Sequence, residues 1–178
     1  MFPGLVTDER APIIEEGLPS INAEMIKGEI NTPRRIAAFL TTLRFESWIL
    51  YNQKQLTQTR KYYGRGLVQL TGKSTDPQPD GTVMNYTPAG KYFGIDLVGD
   101  PDLALSLEWS AKIARWYWTV ARPRCNEWAD NLQMGKINGA IGYPLLPDGS
   151  NDKARCLAFA KALMYLTGET VVDVDCNR

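Results

Sequence analysis

Histidine is absent from all 178 positions of the sequence. That single absence removes Ser-His-Asp and Cys-His nucleophilic catalysis, histidine-ligated zinc and the imidazole base. Acid–base chemistry is left to Asp, Glu, Lys and Tyr. A surplus of charge is lacking too, because 20 basic residues balance 20 acidic ones. A nucleic-acid binder normally shows a basic excess or stripe, so nucleic acid is not an expected partner, whereas a neutral polymer is compatible. Cysteine is scarce. Cys125, Cys156 and Cys176 are too scattered for a paired metal motif, so neither metal nor cofactor is expected. They read as free, buried thiols of a protein made in a reducing cytoplasm. Apolar runs long enough to span a bilayer are lacking, so no membrane insertion is expected. The opening MFPGLVTDERAP has no basic stretch followed by an apolar one, and no signal peptide is expected from it.

What is present is an ordinary globular composition, 44% hydrophobic and 22% charged, at a length that suits one domain. Apolar residues recur at helical spacing in several segments. Leu18-Pro19-Ser20 reads as the opening of a helix that runs to about Lys27, with Gly28 ending it. Thr32 and Pro33 form an N-cap and first-turn pair. The helix behind them carries Ile36, Phe39, Leu40 and Leu43 on one stripe and reaches about Glu46. The run Tyr62 to Gly72 alternates between glycines and reads as a small strand or hairpin, with Leu67, Gln69 and Thr71 on one face. Residues 74–83 form a turn-rich loop. Helices are expected over 88–93, 107–120, 125–132, 134–141 and 152–166, the last stopped by Gly168. The aromatics of 107–120 read as core. Residues 143–149 read as a Pro/Gly loop. The sum is a mostly α protein with a minor β-hairpin.

Glu46 is the first candidate for chemistry. It follows Phe39 and Leu43 at helical spacing and is flanked by Phe45 and Trp48, so its carboxyl should be partly buried and its pKa raised. A carboxylic acid held protonated near neutral pH can protonate a leaving oxygen. Gly64 and Gly66, on either side of Arg65, would let the backbone approach a ligand, and Arg65 is counted with the substrate-binding candidates. Gln69 and Thr71 offer an amide and a hydroxyl for sugar hydroxyls or a water. Tyr62 and Trp48 are candidates for stacking on sugar rings, with core packing as the alternative.

The string YYGRGLVQLTG resembles a signature of glycoside hydrolase family 19, the chitinase-like enzymes that include many phage endolysins. INTPRRIAAFLTTLRFES, NYTPAGKYFGIDLVGDPDLA, SAKIARWYW and CNEWADNLQMGKINGAIG extend the resemblance in the family's order. It implies a lysozyme-like bilobal helical fold with a small β-hairpin lining a cleft for N-acetylated sugars. Residues 18–168 would form the catalytic domain, 1–17 an N-terminal extension and 169–178 a tail or linker. The resemblance places Glu46 as general acid and Thr71 as a holder of the attacking water. It places Gln69, Asn85, Tyr86, Asn138 and Arg155 at positions that bind substrate or support the acid.

Three departures from the family pattern stand out. Phe45 replaces a usual histidine before the acid. An extra loop over 74–84 separates Lys73 from Asn85. The second carboxylate, the usual base, is missing, because no Asp or Glu occurs from Ser47 to Thr75. Gln53, Lys54 and Gln55 occupy that stretch, and Gln55 with Thr71 is the expected water-positioning pair. Asp76 and Asp80 in the extra loop read as turn residues. The resulting expectation is an endolysin-type domain cutting peptidoglycan between N-acetylmuramic acid and N-acetylglucosamine. A chitinase and a weakened glycan-binding domain stand as alternatives. The protein is expected to be a monomer, alone or within a larger modular lysin, made in the host cytoplasm and acting on the bacterial wall.

Overall fold

Thr32 is extended, and its side chain accepts from Arg35 N at 3.2 Å. Pro33 then occupies the first turn, where its missing N–H costs nothing. In the computed structural model, which describes residues 2, 4–142, 144, 146–170 and 173–178, this start opens α2, Pro33–Ser47. Trp48 ends it in the left-handed region, and Ile49 follows with φ 62°. The chain therefore turns sharply just past Glu46. The stripe read from the sequence packs inward, with Phe39 and Leu43 buried and Ile36 and Leu40 half-buried.

The first helix, α1, spans Ala11–Lys27 and so begins well before Leu18. Pro12 suits its first turn, and Ile14, Gly17, Ile21 and Met25 give it a buried stripe. Pro19 lies inside the helix but on its exposed face, where the carbonyl it leaves free meets water. The remaining helices are α3 Tyr86–Phe93, α4 Ser110–Trp116, α5 Cys125–Asp130, α6 Met134–Ala140 and α7 Ser150–Thr167, capped by Gly168. A 3₁₀ turn lies at Pro101–Leu105, and α4 continues as a π-helical turn, Tyr117–Ala121. Of the loop expected over 143–149, Tyr143 and Leu145 lie outside the described residues.

The β-hairpin expected over 62–72 does not form. Arg65 and Leu70 make an isolated antiparallel bridge, with N–H···O distances of 3.2 and 2.9 Å in the two directions. Between them Gly66 and Gln69 take positive φ, 70° and 49°, which breaks any extended run. Strand alternation is lost with it, since Leu67 and Leu70 are both buried. Gly66 also serves a different purpose from ligand approach. A Cβ there would collide with the Ala104 carbonyl and the Ser110 hydroxyl, so the glycine lets the turn sit directly on the protein.

Among the described residues, two hydrophobic cores result. One gathers Ile14, Ile21, Phe39, Leu43, Trp118, Ile137 and Phe159 from α1, α2, α6, α7 and the end of α4. The other gathers Tyr62, Leu70, Tyr86, Leu97, Ile113 and Trp116. The helix α4 supplies both, sending Ala111 and Ala114 to the first and Ile113 and Trp116 to the second. Trp109, Trp116 and Trp118 of this segment pack in the cores, as their spacing predicts. A buried pair fixes α4 to α1, with Arg115 Nε 2.7 Å from Glu24 Oε2.

The chain's last residues fold back onto the first core. Gly135 N donates to Asp175 O and Asp175 N to Leu132 O, both at 2.9 Å. Arg178 reaches Asp152 at 2.7 and 2.9 Å. Gly135 is required here, because a side chain would strike the backbone of Cys176 and Asn177. This return brings the Cα atoms of Cys156 and Cys176 to 6.1 Å, and the two are joined in a disulfide. The expectation of three free thiols is corrected by that pair, which sequence spacing could not reveal; Cys125 is free and buried. Titration of the unfolded, unreduced protein should therefore find one thiol. Closing a loop across a sequence separation of 20 residues is worth about 3 kcal/mol. Reduction, or Cys176→Ser, should lower the unfolding free energy by up to about that amount in denaturant titration.

Candidate active site

Glu46 lies in the last turn of α2, on the wall of a cleft of about 670 Å³ between the two cores. Its side chain is 19% exposed, and Arg155, fully buried in α7, donates to Oε1 at 2.6 Å. Burial holds the carboxyl above its ordinary pKa, while the charge and hydrogen bond of Arg155 pull the other way. The aromatic neighbours act differently from the expectation. Phe45 packs on cations, with the Arg155 guanidinium 5.2 Å and the Arg44 guanidinium 4.9 Å from its ring centre. Trp48 lies under Arg10 at 4.3 Å. The flanking rings thus pack on arginines.

The opposite wall comes from the turn at 64–72. Thr71 Oγ1 donates to Gln69 O at 2.5 Å, which commits its proton and leaves its lone pairs as acceptors. Gln69 Nε2 donates to the carbonyls of Gln53 and Gly66 at 3.1 Å each. Gly64 lets these side chains close in, since a Cβ there would lie 2.8 Å from Gln69 Oε1 and 3.1 Å from Thr71 Oγ1. Gln55 pairs with Gly64 twice, through its backbone N–H to Gly64 O and through Oε1 accepting from Gly64 N, both at 2.8 Å. Asn85 Nδ2 donates to Thr71 O at 2.9 Å. The extra loop therefore leaves and returns without parting these two residues. Asp76 closes it, accepting from Lys73 N at 2.6 Å and Met84 N at 2.9 Å. Asp80 accepts from Thr82, and neither aspartate lines the cleft.

The cleft brings together Glu46, Gln55, Gln69, Thr71 and Asn85. It leaves out the other candidates. Arg65 is buried and bonds Asp102 at 2.7 Å and Tyr86 Oη at 3.1 Å, with its guanidinium 3.6 Å from the Tyr63 ring. Tyr86 Oη lies 2.9 Å from the carbonyls of both Tyr63 and Leu70, and Tyr62 Oη donates to Val98 O at 3.1 Å. These three residues brace the turn from beneath. Asn138 is fully buried in α6, and its amide has no hydrogen-bond partner among the described residues. Arg155 reaches the cleft through Glu46. Residues that sequence reasoning did not single out, Arg60, Tyr117 and Arg122, also line it. Tyr117 sat unseen in an aromatic helix, because its exit toward the cleft depends on the π-helical turn, which has no pattern in the sequence.

Two helical lobes around a cleft with a half-buried carboxyl form a lysozyme-like helical architecture. Comparison with known proteins gives the family. Residues 44–140 match the glycoside hydrolase family 19 model, described as chitinase class I. Chitinase 8 of Oryza sativa subsp. japonica is 43% identical over 104 residues, covering 53% of this chain and 36% of that one. The acidic 27 kDa endochitinase of Solanum lycopersicum is 34% identical over 104 residues, covering 53% and 38%. The chain thus spans little more than a third of the length of these relatives. A bacterial family 19 chitinase superposes with TM-score 0.68 at 21% identity, over 97% of this chain and 92% of that one. Chitinase C from Streptomyces griseus HUT6037 superposes with TM-score 0.64 at 20% identity, over 97% and 90%. The chain belongs to glycoside hydrolase family 19.

Two outcomes follow from this geometry. As the expected general acid, Glu46 would act in its protonated form, so the rate should fall as pH rises through its raised pKa. Arg155→Met removes the cation that favours the carboxylate. It should move the alkaline limb of the kcat–pH profile to higher pH while lowering the maximum. A limb that stays put or moves down would separate Glu46 from that limb. At the cleft, Gln55→Glu keeps an oxygen for Gly64 N and adds a second carboxylate. Turnover should rise severalfold, measured as reducing ends released per enzyme.

Proposed function

We propose that the protein hydrolyses β-1,4 bonds in a polymer of N-acetylated sugars, with Glu46 as general acid. The observation that carries this reading is the placement of one half-buried, proton-retaining carboxyl across a cleft from Thr71 and Gln69. Glu46 gives its proton to the leaving oxygen as the glycosidic bond breaks. A water held by Thr71 and Gln55 bonds to the anomeric carbon from the opposite face, which inverts it. Its proton passes to solvent, since among the described residues the cleft lining includes no second carboxylate. Turnover is therefore expected to be slow. The matched relatives are chitinases by name, which supports a polymer of N-acetylglucosamine as substrate.

A second reading is bacterial peptidoglycan, the protein then acting as an endolysin module. The charge of the groove favours it. A smaller cavity shares Glu46, Gln55 and Gln69 with the cleft and extends it. Arg60 and Arg122 line one part and Arg10 and Lys54 the other, against Glu46 as the one acid among the described lining residues. Such a groove attracts an anionic polymer. Reducing-end release from chitin oligomers and from purified bacterial walls distinguishes the two. On the better substrate Glu46→Gln should cost at least ~10²-fold, the scale of a lost general acid, with the fold unchanged by circular dichroism. Sedimentation with walls and no reducing ends from either polymer would instead identify a binding domain.

A further inference from the structure

One cation of the cleft is held unlike a solvated surface arginine. Arg122 leaves the π-helical turn half-buried. Its Nε donates to the carbonyl of Ala140, its Nη1 to Ala121 O at 2.9 Å and its Nη2 to Tyr117 Oη at 3.1 Å. The guanidinium also sits 4.7 Å from the centre of the Tyr117 ring. All these partners are neutral. Burial pushes the Tyr117 phenol above its ordinary pKa against the pull of Arg122, so the phenol stays uncharged and gives no counter-ion. Among the described residues no carboxylate pairs with Arg122, whereas Arg35, Arg65, Arg115, Arg124, Arg155 and Arg178 each pair with one. A guanidinium has five N–H donors, and three are committed here. What remains is an ordered cation, without a carboxylate partner among the described residues, in the lining of the cleft that also includes Glu46 and Tyr117.

We propose that Arg122, positioned by Tyr117, is the specificity residue of the cleft and binds a carboxylate carried by the glycan beside the scissile bond. The preferred substrate is then a carboxylate-bearing N-acetylated glycan, and neutral strands are the poorer ligands. The inference rests on reading the cleft as a glycan site. A carboxylate matches the guanidinium in charge and geometry, and its entry is rewarded because the fork is already ordered. The carboxylate has two sources in a bacterial wall strand, the lactyl ether on the sugar ring and the attached peptide.

Binding tests this without requiring turnover. The Glu46→Gln protein is titrated with four ligands: a neutral N-acetylglucosamine tetramer, a peptide-free tetrasaccharide alternating with N-acetylmuramic acid, its methyl ester, and the peptide-bearing strand. The free acid should bind at least about tenfold more tightly than its ester, the low end for a hydrogen bond to a charged group. That ratio should shrink with added salt. Adding Arg122→Gln should bring the ratio near one, and Arg122→Lys should restore part of it. If Arg122→Gln unfolds the protein, Tyr117→Phe, which frees the fork from one anchor, should still reduce the ratio. A preference seen only with the peptide-bearing strand would place the carboxylate on the peptide. Equal binding of every charged ligand and its neutral counterpart overturns the proposal, as does an equal loss for charged and neutral ligands on Arg122→Gln. The wild-type hydrolysis assay separates the two readings. Preference without turnover sinks the glycosidase reading alone, and turnover without preference sinks the role of Arg122 alone.

Discussion

The site depends on one contact between helices distant in sequence, Arg155 of α7 against Glu46 of α2. A carboxyl at the end of a helix has few means of being aimed. Here a buried guanidinium, itself stacked on Phe45, fixes the direction of Oε1. The same turns of α7 carry Asp152 and Cys156, which hold the returning tail through Arg178 and Cys176. The tail therefore bears on the position of the acid without approaching the cleft.

Arg155 also sets a limit on the chemistry. Burial alone would make Glu46 a strongly retained acid, and a buried cation alone would be costly. Together they give a carboxyl that still gives up its proton at the price of a penalised anion. The opposing wall has no such balance, being built of amides, a hydroxyl and backbone carbonyls. The cleft thus offers one carboxyl with a raised pKa and, among the described residues that line it, no second carboxylate. The segment after α2 supplies an amide, Gln55, to this lining.

The local parts of this arrangement were legible in the sequence. Thr32, Pro33 and the stripe of α2 encode a helix start, a buried face and an end at the acid, all within one segment. Glycine at 168 marks the end of α7 in the same way. What escaped depends on long-range packing. The start of α1 was misplaced because Pro19 looks like an opening signal until its exposed face is known. The run at 62–72 alternates like a strand, yet its glycines answer to Ala104 and Ser110, and positive φ at Gln69 defeats the alternation. Arg65, Tyr62 and Tyr86 carry the chemistry expected of ligand-binding residues but spend it on carbonyls and on Asp102. The disulfide is invisible for the same reason, because its partners meet only once the tail has crossed α6.

The helix α4 belongs to both hydrophobic cores, and this has a consequence for how the molecule yields. Neither lobe can lose its packing without exposing a face of the same helix that the other lobe needs. The two halves should therefore melt in one cooperative step, with the slowest-exchanging amides along α4.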